Sequence, residues 1–148
     1  MKRQLPSAGF SLFVLSSVLL ALPAFAHHGF QYEYDGNKYI TLTGVLTKIE
    51  WENPHIYFNV DVKDADGKVT SWRFEGSSVT LVKRTGVNRS DFADNIGKTI
   101  SVNGCPALGG QPRVAAETVK LPDGRQIVVA RKRYFGDGSK PADDKDDN

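Results

Sequence analysis

Cysteine is almost absent from this chain: Cys105 is the only one, so no intrachain disulfide can hold the fold together even in an oxidising compartment. Methionine is equally scarce, with Met1 alone, and a chain that loses its first residues keeps no thioether to offer a metal. Long apolar runs are missing beyond residue 22. There is no Gly-x-Ser-x-Gly elbow, no phosphate-cradling glycine motif and no His-Glu-x-x-His pair. The reading therefore leans away from an enzyme. Asp64-x-Asp66-Gly67 has the start of a calcium loop without its remaining ligands, and a hairpin turn accounts for it.

What is present begins with an export signal. Lys2 and Arg3 give a positive start, Phe10 to Leu22 give 13 mostly apolar residues, and Pro23 precedes the small-residue pattern Ala24-Phe25-Ala26. A membrane-spanning helix needs about 20 apolar residues, so residues 1–26 read as a cleaved signal peptide that leaves no membrane anchor. A periplasmic or secreted protein is expected. Cleavage after Ala26 takes 26 of the 148 residues and leaves 122, the size of one domain. Lys2 and Arg3 leave with the signal, so 19 basic residues fall to 17 against 17 acidic ones. That zero balance, together with export, argues against nucleic acid, although Arg131-Lys132-Arg133 is a basic cluster. Residues 136–148 carry five aspartates and two lysines with nothing apolar larger than Ala142, which predicts a disordered acidic tail after a domain of residues 27–135.

The domain reads as all-β with small α content. Residues 40–51 place Thr41, Thr43, Val45, Thr47, Ile49 and Trp51 on one parity, with Gly44 interrupting the other as a bend or bulge would. Ile56, Phe58, Val60 and Val62 alternate with His55, Tyr57, Asn59 and Asp61, a half-buried strand. Residues 64–67 turn the chain into a third strand over 68–75, which carries Trp72 and Phe74. Ser77-Ser78 caps a short helix through Arg84, with Gly86 ending it. Strands follow over 98–104, 113–121 and 125–130. Cys105 falls in a stretch rich in glycine and proline that reads as loop. Three strands, a helix, then two or three strands predict a five- to six-stranded barrel like the oligonucleotide/oligosaccharide-binding (OB) fold, its helix between strands three and four.

Three histidines carry the candidate chemistry: His27 and His28 at the mature start and His55 after Asn53-Pro54. A terminal histidine offers its amine and its imidazole Nδ1 to one metal, a chelate that an internal histidine cannot make. His55, by parity, points away from Ile56 and Phe58, so a second imidazole stands on a face that the core does not claim. Copper(II) suits such a nitrogen set, and the missing thioether argues against a copper(I) carrier. Glu52 and Glu75 are the candidate carboxylates, as ligands or as partners of ligands. The competing reading is a non-catalytic module that binds a periplasmic protein or a small ligand on an aromatic face built from Trp51, Tyr57 and Trp72, with Tyr134 beside them.

His27-His28-Gly29-Phe30, Thr41-Leu42-Thr43-Gly44-Val45, Trp51-Glu52-Asn53-Pro54-His55, Asp66-Gly67, Trp72, Phe74-Glu75 and Asp123-Gly124-Arg125 resemble a family of small exported bacterial proteins that carries a domain-of-unknown-function label. Asn-Pro-His after a tryptophan is the most specific part of the likeness. Gly29 departs from it, since serine is commoner there, and Cys105 is not a residue of the pattern. The resemblance implies export and a small β fold and assigns no activity.

Overall fold

The computed structural model describes residues 30–130; the expected signal peptide, His27, His28, the basic cluster at 131–133, Tyr134 and the expected acidic tail lie outside the described residues. The elements run α1 (Phe30–Glu33), β1 (Ile40–Glu50), β2 (Tyr57–Lys63), β3 (Val69–Glu75), α2 (Val79–Arg84), α3 (Arg89–Ala93), β4 (Thr99–Pro106), β5 (Arg113–Lys120) and β6 (Gln126–Val128). Antiparallel pairings give the order β3-β2-β1-β4-β5-β6. A parallel pairing of Arg73–Glu75 with Arg113–Ala115 then joins β3 to β5 and closes five strands into a barrel. The helices between β3 and β4 complete the arrangement of an OB-type barrel, and β6 hangs outside it on β5.

The interior follows from period-two alternation. Ile56, Phe58 and Val60 are fully buried, and so are Phe74, Val102, Val114 and Val119 from the other strands. Phe58 and Phe74 stack with centroids 5.2 Å apart. α3, which the sequence reading did not place, drives the buried Phe92 against Phe58 at 4.9 Å and toward Trp51 at 6.1 Å. Its short length hides it from periodicity, but Asn88 and Asp91 form a capping box that fixes its start.

β1 corrects one expectation. The register slips between Leu46 and Lys48, so the bulge sits at Thr47 and not at Gly44. Before it the even residues face inward, with Leu46 fully buried and Val45 exposed; after it the odd residue Ile49 packs on the core. The single parity assumed for residues 41–51 therefore reverses midway. Gly44 serves a close approach instead, because a Cβ there would lie 2.3 Å from the carbonyl oxygen of Asp61. The expected α2 is present with Ser78 as its N-cap, and Gly86 follows it at a φ of 86°.

Candidate functional site

β3 alternates, so Trp72 and Phe74 lie on the core side while Arg73 and Glu75 lie on the outer one. Strand pairing carries Glu75 into a row across four strands: Tyr57 of β2 is opposite Glu75, Glu75 is opposite Ala115 of β5, and Ala115 is opposite Cys105 of β4. Residues paired in this way share a face of the sheet. The row is on the outside of the barrel, and its β5–β4 half is covered by the segment that precedes β1. Tyr34 packs there with Cys105, Ala115 and Ala130 in a second buried cluster.

Backbone hydrogen bonds hold that covering segment. The amide of Asp35 donates to the Pro106 carbonyl at 2.9 Å, the amide of Leu108 donates to the Glu33 carbonyl at 2.9 Å, and Tyr34 forms an isolated bridge with Ala107. The Tyr34 ring thus lies over the row with its hydroxyl directed at Glu75, donating to Oε2 at 2.8 Å. Arg113 donates through Nη2 to the Tyr34 hydroxyl at 3.0 Å and to Glu33 Oε2 at 2.9 Å. Burial, and next the neighbouring Glu75 charge, raise the Tyr34 hydroxyl well above the ordinary tyrosine value, so it is a firm donor.

His55 completes the arrangement. It stands in the turn before β2, its side chain 46% exposed, and its Nδ1 bonds Glu75 Oε1. Each oxygen of one carboxylate is therefore engaged: Oε1 by His55 and Oε2 by Tyr34. Tyr57 lies beside His55, ring centroids 6.4 Å apart, and carries the Arg73 guanidinium over its own ring at 4.3 Å. Arg73 in turn donates to Glu50 at 2.9 Å. Burial and then Glu75 raise the Tyr57 hydroxyl above its ordinary value too.

The sequence-derived candidates separate on this geometry. His55 and Glu75 are brought into direct contact. Glu52 is exposed in the β1–β2 turn. Trp51 and Trp72 are partly buried and packed against the core, whereas Tyr57 lies on the outer face, so the three do not share one face. Cys105 is corrected from loop to strand: it is a fully buried residue of β4 whose thiol interacts with the Tyr39 hydroxyl. The glycine and proline around it belong to a strand with a register shift next to Gly104. Glu33, Tyr34 and Arg113 were not singled out by sequence reasoning. Their only early signal was position, with Glu33 and Tyr34 a few residues beyond the expected mature start and Arg113 at the start of a strand.

The family model described as "Family of unknown function (DUF6152)" matches residues 15–115. No curated protein matches the sequence.

Proposed function

We propose a function from the chain's own chemistry, because the chain belongs to that family of unknown function: an exported small β-barrel protein that binds copper(II) through the amine and imidazole of His27 and the imidazole of His55. The observation that carries the reading is the bond between His55 Nδ1 and Glu75. A carboxylate on one ring nitrogen fixes the tautomer and orientation and leaves Nε2, on an exposed side chain, as the nitrogen for a metal. Metal-binding histidines recurrently have such a partner. Glu75 therefore takes the role of a ligand's partner and not of a ligand.

Among the described residues no three of His, Cys, Asp and Glu gather at one point, so the proposed set draws its remaining donors from the mature terminus. Reach permits this. His27 precedes Phe30, where α1 begins, by three residues, roughly 10 Å of extended chain, the four residues of α1 add about 6 Å, and the Tyr34 hydroxyl is one carboxylate away from His55. Three nitrogens in a plane favour copper(II) over other divalent first-row metals. His28 contributes a competing imidazole or its peptide nitrogen, and a His28→Ala protein is expected to keep the site.

Titrating copper(II) into protein that begins at His27, followed by electron paramagnetic resonance (EPR), tests the reading. One copper per chain with nitrogen couplings is expected, and both His55→Ala and one extra residue ahead of His27 should weaken binding and change the spectrum. Equal binding by the extended protein would remove the terminal amine from the set and overturn the proposal.

A further inference from the structure

We infer that Tyr34 is the positioning residue of this copper site: its hydroxyl couples the place where the N-terminal segment leaves the barrel to the orientation of His55. This inference rests on the copper reading above. Tyr34 is buried, 5% exposed, and it follows the expected mature start by seven residues. Its ring and the flanking backbone bonds fix the segment over β4 and β5. Its oxygen holds Glu75, whose other oxygen holds His55. The same side chain therefore bears on both halves of the proposed ligand set.

A tyrosine in a cluster of Cys105, Ala115 and Ala130 could be there only to fill space, and phenylalanine would then serve equally well. The hydroxyl argues otherwise. A buried hydroxyl is costly unless paired, and this one is paired twice, donating to Glu75 at 2.8 Å and accepting from Arg113 at 3.0 Å. Without it, Glu75 Oε2 keeps, among the described residues, only Arg113 Nη2 at 3.9 Å, too far for a hydrogen bond, and the carboxylate is free to turn away from His55. Arg113 acts through Tyr34, since one nitrogen serves both that hydroxyl and Glu33 on the covering segment.

The test uses the mature protein beginning at His27. Tyr34→Phe removes one oxygen and keeps the ring, and it is expected to weaken copper(II) binding by about ten- to a hundredfold, the usual effect of losing a ligand's partner. Its EPR spectrum should move toward that of His55→Ala, a signature that general destabilisation would not produce. Val87→Ala, which thins the main core instead, is expected to leave the spectrum unchanged. Should Tyr34→Phe fail to fold, Arg113→Lys decides, because it keeps Tyr34 while replacing the planar donor fork; a spectral shift of the same kind supports the inference. Affinity and spectrum both unchanged in the folded variant would overturn it while the copper reading stands. If the unmodified protein binds no copper(II), both fall together.

Discussion

Phe74 and Glu75 are neighbours in β3 and belong to opposite halves of the molecule's physics. Phe74 is fully buried against Phe58, and its side of the strand is held by apolar contact from every direction. Glu75 has two oxygens, and each has a specific partner in a different part of the chain, His55 on one and Tyr34 on the other. Apolar burial is non-directional and scales with area, whereas a hydrogen bond contributes little net stability and depends strongly on angle and distance. The inner face of β3 thus supplies stability and the outer face supplies orientation. One strand does both because its side chains alternate.

The comparison breaks first at Phe74. Phe74→Ala empties the centre of the barrel and should lower the unfolding free energy by about 3–5 kcal/mol, read by urea denaturation. Below its reduced melting temperature the variant should give the same copper(II) EPR spectrum as the unmodified protein. A spectrum displaced as in His55→Ala would mean that the two faces of β3 cannot be separated.

The same division explains what the sequence disclosed. Period-two alternation in residues 55–62, the turn at 64–67, the Ser78 cap and Gly86 are local signals, and each falls where it was read. Local signals fail where a neighbouring strand intervenes. The bulge at Thr47 reverses the parity of β1, whereas the closure of β3 on β5 agrees with the barrel expected from the order of strands and helix. Of the site, His55 was legible as a histidine on an outward parity and Glu75 as a candidate carboxylate. Tyr34 and Arg113 were not, because their roles arise from partners 41 and 79 residues away.

Alkaline pH sharpens the outer half of the comparison. The folded Tyr34 hydroxyl titrates well above the ordinary value near 10, so between that value and the folded one the unfolded chain loses a proton that the folded chain keeps. The unfolded state then binds fewer protons, and stability falls as pH rises. The contribution is fully present below pH 10. Urea midpoints at pH 9 and pH 11 should show this loss, and Tyr34→Phe should make it shallower; Tyr39, raised by burial and by Cys105, and Tyr57, raised by burial and by Glu75, leave a remainder. An unchanged slope in Tyr34→Phe would show that its hydroxyl is not held buried beside Glu75 in solution.

The smallest effect belongs to Glu50, which pairs with Lys48 at 2.7 Å and with Arg73 at 2.9 Å at the far edge of the same outer face. Hydrogen bonding by Lys48, with added attraction from Arg73, holds its carboxyl below the ordinary glutamate value. A depressed acid contributes stability that is present above its unfolded value near pH 4.3 and is lost as pH falls through the folded one. Because these ion pairs are open to water, Glu50→Gln should cost less than about 1 kcal/mol at neutral pH, and less in high salt. Its effect on copper(II) binding should be negligible, since Glu50 reaches Tyr57 only through Arg73. A copper effect as large as that of Tyr34→Phe would extend the positioning network across the whole outer face and away from the single hydroxyl at its centre.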